Sequence, residues 1–197
     1  LIVNSLNQYS VEELLSPIEK TIPILKTWQA ENQKLKSRYL TSPGSWQNPF
    51  LKELYRNHLS LLTLPSEIGL PVRSSPYIET PPLIWQTFLY LDVFQHYQKG
   101  DIILYAKIRE AFDRRVRRRE IKLRTLPVAR QNDHWYALAE YVFLLTKVSY
   151  LERINSGTVR VLREIIIPGS IDEQINAEAN FFTKYRNEIS QTIFPIT

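Results

Sequence analysis

Six arginines fall among residues 114–124: Arg114, Arg115, Arg117, Arg118, Arg119 and Arg124, joined by Lys122. A guanidinium presents a planar fork to phosphate oxygens and stacks on bases, so a run this dense is suited to phosphate contact. The wider segment 107–130 holds ten basic and three acidic residues, a local charge of +7 in a chain whose net charge is +5. Everything outside it is therefore slightly acidic. The basic character is one locus, and a concentrated positive field marks where an anionic partner is drawn in. A solvated helix end is the plainer explanation. There the arginines would complement the helix dipole and pair with Glu110, Asp113 or Glu120. Six arginines beside so few acids go further than a helix cap needs.

Other chemistry has thinner support. The three histidines, His58, His96 and His134, lie 38 residues apart in both intervals, and no pair has the close spacing of a zinc motif. Cysteine is absent, which excludes disulfides, thiolate nucleophiles and cysteine-ligated zinc, and suits a reducing, cytoplasmic setting. No GxSxG elbow occurs, and the five glycines do not cluster into a phosphate-cradling or dinucleotide-binding loop. Arg56 with His58 and Arg130 with His134 sit close in sequence, as a helical ribonuclease would require, but both pairs read as helix-terminus chemistry. The carboxylate pairs Glu12-Glu13 and Asp172-Glu173 fall in first turns of expected helices, where the dipole accounts for them. An enzyme is the least supported class. No catalytic residue, metal ligand or cofactor is assigned.

The elements that must position the basic run read as helices. The spacing predicts a helix near 24–40 with Leu25, Trp28, Leu35 and Tyr39 inward. Ser10 with Glu13 has capping-box spacing and heads a shorter helix before it. Asn48-Pro49 offers a cap followed by proline in the first turn, opening a helix through residues 50–62. Residues 63–79, with three prolines and a glycine, read as an irregular connector laid over the surface. Thr80-Pro81-Pro82 opens a helix over about 81–98, which Lys99-Gly100 ends. The next begins at Ile102, with Leu104, Tyr105, Ala111 and Phe112 around a buried Ile108.

Continuing that geometry brings Arg115 and Arg119 onto the buried face. Arginine cannot replace a core leucine without a buried partner. Either the helix ends near Asp113 or it projects past the core, and both place Arg114 to Arg119 in solvent or against a partner. Asn132 or Asp133 caps a strongly apolar helix near 134–154, and Ser170 with Glu173 caps a last one near 171–190. Two segments are ambiguous. Residues 120–125 alternate like a strand, and residues 158–167 are rich in β-branched side chains but fit a helix almost as well. Helix is narrowly preferred for the second, since its neighbours are helical.

The expectation is an all-α, or predominantly α, single-domain bundle of six or seven helices, with a two-stranded β ribbon if both ambiguous segments are strands. Residues 1–47 form an N-terminal helical segment and 48–197 a core domain carrying the basic segment. No apolar run approaches the ~18 residues of a membrane helix. The first fifteen residues lack the basic and apolar regions of a signal peptide. Methionine is absent throughout and the first residue is Leu1, as expected of an excised domain or a chain lacking its first residues.

The expected function is a non-enzymatic regulatory or assembly role. Arg114, Arg115, Arg117, Arg118, Arg119, Lys122 and Arg124 would contact nucleic-acid phosphates. The alternative is a protein–protein adaptor or subunit binding an acidic partner. Four Trp, eleven Tyr and eight Phe would then supply interface anchors, with Trp85, Phe88 and Tyr97 of the 81–98 helix facing a partner chain or a second copy.

Overall fold

The computed structural model describes residues 24–125 and 133–193. The capping box at Ser10 and Glu13, together with Pro127, Arg130 and Asn132, lies outside them. Six α-helices and a three-stranded antiparallel sheet occur among the described residues. The chain is thus mostly helical, and the strictly all-α expectation is corrected by the sheet.

Helix α1, Ile24–Thr41, matches its expected span, with Trp28, Leu35 and Tyr39 partly buried against the core. Helix α2, Pro49–Arg56, starts where Asn48 predicts: its side-chain oxygen accepts from the Phe50 and Leu51 amides at 2.9 and 3.3 Å. It stops six residues earlier than the pattern suggests. His58 adopts φ 56°, and Leu59 N–H donates back to Leu54 C=O at 2.9 Å. This is a Schellman ending without glycine.

The connector at 63–79 departs from expectation. Leu64, Ile68, Leu70, Val72 and Ile78 are all buried. A buried loop must satisfy its own backbone, and two side chains do this. Gln86 donates to Leu70 C=O and accepts from Leu70 N–H, both at 2.7 Å, as a neighbouring strand would. Tyr141 Oη donates to Glu67 C=O at 3.1 Å. Gly69 at φ +83° lets the chain turn beneath Leu83, where a Cβ would come within 2.9 Å of that side chain.

Helix α3, Pro82–Asp92, is buried on every side through residues 83–91. It ends at Val93, short of the expected 98, and a 3₁₀ turn at Phe94–His96 follows. Ile102–Leu104, expected to begin a helix, is strand β1. Helix α4, Tyr105–Arg117, follows directly with Ile108, Ala111 and Phe112 inward as expected, whereas Leu104 is exposed. Helix α5, His134–Lys147, ends seven residues before the expected 154 through a second Schellman turn, with Ser149 at φ 56° and Tyr150 N–H on Leu145 C=O at 3.0 Å. The rest of that apolar run is strand β2, Leu151–Asn155. It turns at Ser156-Gly157 into β3, Thr158–Val161.

The narrow preference for helix over 158–167 is overturned by this pairing. Strand β3 is central, in the order β1-β3-β2, with Ile103 opposite Val159 and Leu151 opposite Val161. Both of the first pair are buried, so a register set by one apolar face outweighs local helical context. Residues 120–125 make only a bridge, Ile78 to Leu123, rather than a strand of the ribbon. Helix α6, Ile171–Ile193, is capped by Ser170 Oγ, which accepts from Glu173 N–H at 3.1 Å. The Glu173 carboxylate accepts in return from Gly169 N–H at 2.8 Å. Its buried stripe is Phe181, Tyr185 and Ile189. No helix among the described residues is long and apolar enough to cross a membrane.

Candidate nucleic-acid interface

Helix α4 delivers the basic run, and its C-terminus determines which cations are free. Arg119 sits at φ 60°, its N–H donating to Val116 C=O at 2.9 Å and Glu120 N–H to Arg115 C=O at 3.0 Å. This third Schellman turn reverses the chain, so Ile121 is buried and residues 122–124 run back along 77–80. Lys122 C=O accepts from Glu79 N–H at 2.8 Å, Lys122 N–H donates to Thr80 Oγ1 at 2.8 Å, and Arg124 N–H donates to Tyr77 C=O at 3.0 Å. The backbone bonds fix the segment, with Leu123 packed against the core and the Lys122 and Arg124 side chains exposed.

Arg115 is the main correction. It is 5 % exposed and cannot meet a phosphate. Its guanidinium donates to Glu53 at 2.5 and 3.0 Å, to Asp92 at 2.5 and 2.8 Å, and to Glu120 at 2.9 Å. It also lies over the Phe88 ring at 4.5 Å. The sequence condition, that arginine on this stripe needs a buried partner, is met by three carboxylates. That is why the helix neither ends at Asp113 nor leaves the core.

The quartet joins α2, α3, α4 and the turn after it; its three carboxylates exceed Arg115 by two negative charges, one of which Arg114 offsets through Asp92 at 3.4 Å. Burial opposes ionisation of Asp92. The hydrogen bonds and charge of Arg115, with help from Arg114, outweigh it and hold the carboxyl below its ordinary 3.8. Arg115 is likewise held above the ordinary arginine value: burial disfavours its charge, and the bonds from Asp92 and Glu53 more than restore it.

A pH dependence follows from the Asp92 shift. Because its folded pKa is the lower one, the stability it contributes is complete above pH 3.8 and is lost as pH falls through the folded value. Urea unfolding from pH 7 to pH 2 should show a decline below pH 3.8 that is shallower in Asp92→Asn.

The remaining basic residues divide cleanly. Lys107 covers the Tyr97 ring at 5.0 Å, and Arg109 covers Trp135, whose indole N–H donates to Asp113 at 3.3 Å. Arg114 is half-buried on Asp92. Arg117, Arg118, Arg119, Lys122 and Arg124 are exposed and form no ion pair among the described residues. The run therefore has an anchored half and a free half.

The expected interface aromatics are relocated too. Trp85 and Phe88 are 0 % and 4 % exposed core residues, not surface anchors. Tyr97 is half-buried beneath Lys107. The histidines stay apart: His58 and His96 are exposed, and His134 stacks on Phe112 at 5.9 Å. Burial lowers the His134 pKa, with Asp113 opposing. Among the described residues no cluster of His, Asp or Glu is placed to hold a metal ion.

Sequence reasoning missed Glu53 and Asp92. Asp92 carried a usable signal, since an acid directly after nine buried residues needs a cation.

Together these features define a mainly helical domain with a small antiparallel sheet, whose basic helix end is anchored on buried carboxylates. Residues 24–175 match the family described as competence protein CoiA, C-terminal domain, and the chain belongs to that family. The matched span covers α1 through the first turn of α6, including the whole basic segment. No curated protein and no solved structure matches the chain.

Proposed function

We propose that this domain acts without catalysis, as a regulatory or assembly module that engages nucleic acid through Arg117, Arg118, Arg119, Lys122 and Arg124. The carrying observation is that these five cations share one chain reversal, are exposed, and lack acidic partners among the described residues, while their neighbour Arg115 absorbs the nearby acids. Membership in a family described as a competence protein is compatible with this direction. The cations cluster at the end of α4, in its Schellman turn and just beyond it, rather than lining a recognition helix, which favours backbone contact over base readout. A cytoplasmic location fits this role.

Labelled duplex DNA titrated over a salt series provides the test. Five phosphate contacts give a slope of log K against log salt of about −4.5, and Arg117→Glu/Arg118→Glu should flatten it by about two units. Absence of binding at low salt would end the proposal.

An adaptor role has one observation in its favour. Ile102 and Leu104, at 54 % and 58 % exposed, lie on the outer sheet face, where an apolar partner surface would fit better than nucleic acid. A stable oligomer by light scattering, unchanged by the arginine reversals and lost in Ile102→Asp/Leu104→Asp, would favour it.

A further inference from the structure

Two adjoining hollows lie beside the free half of the basic run. The first, ≈ 440 Å³, is walled by Tyr39, Phe50 and Phe88, with Arg119 and Lys122 among its lining. The second, ≈ 430 Å³, contains Arg38 and Ser42. Tyr39 and Asn48 border both. The Tyr39 ring is set by a T-shaped contact with Phe50, centroids 5.8 Å apart. It therefore forms an ordered aromatic divider with a cation in the hollow on each side.

The charge of the first hollow decides what enters it. Glu53, Glu79 and Glu120 also line it. An anion among them would face three carboxylates, so a phosphate is confined to the exposed cations Arg119 and Lys122. A neutral, flat group with N–H donors is favoured: it packs on the partly exposed Tyr39 ring and its edge donates to carboxylate oxygens. A nucleobase has those properties, and the phosphates on either side of it would remain at the cations. In a duplex every base is already stacked and paired, and extruding one costs a few kcal/mol. An unpaired strand carries no such cost.

We propose that the two hollows bind unpaired nucleotides of a single-stranded nucleic acid, with one base stacked on Tyr39 and its flanking phosphates held by Arg38 on one side and by Arg119 and Lys122 on the other. This rests on the basic face engaging nucleic acid at all. It adds a seat for a base, and hence a preference for single strands over duplexes.

The test is fluorescence anisotropy with labelled DNA and RNA strands of about 12 nucleotides, within the usual site size of such a groove, beside the same DNA as a duplex and an abasic version. Stacking of one base changes affinity by about tenfold. Single strands should therefore bind about tenfold tighter than duplex, in DNA, RNA or both. Tyr39→Leu should abolish that advantage while leaving duplex binding unchanged, and Tyr39→Phe should keep it. The abasic strand should lose it on the unaltered protein, which decides the matter even if Tyr39→Leu folds poorly.

Equal affinity for single strands and duplex would overturn the base seat. So would single-strand binding indifferent to Tyr39→Leu and to abasic sites yet weakened by Arg117→Glu/Arg118→Glu, and in that case the basic face survives as the contact. Failure to bind any nucleic acid overturns both.

Discussion

Arg115→Leu should destabilise the folded chain by about 3–5 kcal/mol, the cost of removing one partner from a buried ion network. By sequence the change looks favourable, since it restores an apolar residue to the stripe of Ile108 and Phe112. The structure reverses that expectation. Leucine would leave Glu53, Asp92 and Glu120 gathered around an apolar side chain, with the Asp92 carboxylate only 13 % exposed. Urea denaturation should show a lower midpoint at unchanged slope. Adding Glu53→Gln and Asp92→Asn should recover most of the loss, because no buried charge is then left alone. A phosphate-contacting arginine behaves oppositely: its replacement leaves stability within about 0.5 kcal/mol and weakens binding. The same two measurements on Arg118→Leu should give that second pattern.

Arg115 also marks where sequence reasoning reached its limit. Helical geometry placed it on the buried face and stated the condition for its staying there. It could not name the carboxylates that meet the condition, because Glu53 and Asp92 lie 62 and 23 residues away. The free cations were legible for the opposite reason: Arg117, Arg118 and Arg119 have nothing to do with distant sequence. Tyr39 was read as a core position and is partly that. Its second role, as a wall of two hollows, depends on where α1 lies against Asn48 and Phe50, which no local pattern encodes.

Helix starts with a side-chain cap were readable, and three helix stops were not. Asn48 and Ser170 announce their helices because an N-cap works through a side chain, and side chains are written in the sequence. Helices α2, α4 and α5 stop in left-handed turns at His58, Arg119 and Ser149, all at φ near 60°. Glycine would have signalled each stop. Non-glycine residues there cost about 1–2 kcal/mol apiece, which the buried residues just beyond, Leu59, Ile121 and Tyr150, offset by anchoring the reversed chain. The apolar pattern therefore runs straight through the true ends. β3 was obscured in part because one of its two partners, β1, is 56 residues away at Ile103.

Trp85→Ala should cost about 3–5 kcal/mol without altering oligomeric state. As an interface anchor Trp85 would do the reverse, leaving the fold intact and weakening association. The packing favours the first outcome. Trp85 is 0 % exposed and meets Phe112 of α4 and Tyr141 of α5 edge-on, with centroids 5.9 and 5.3 Å away. Alanine would open a cavity where three helices converge. Its indole N–H is also buried with no acceptor among the described residues. Trp85→Phe should therefore cost much less than alanine, because removing an unsatisfied donor offsets part of the lost volume. Urea midpoints for both variants and light scattering on the folded fraction separate the two roles. Because Phe112 belongs to the helix that ends at Arg117, the proposed nucleic-acid affinity should in Trp85→Ala fall only with the population of folded protein. A larger drop would mean that α4 has shifted and carried the free arginines with it.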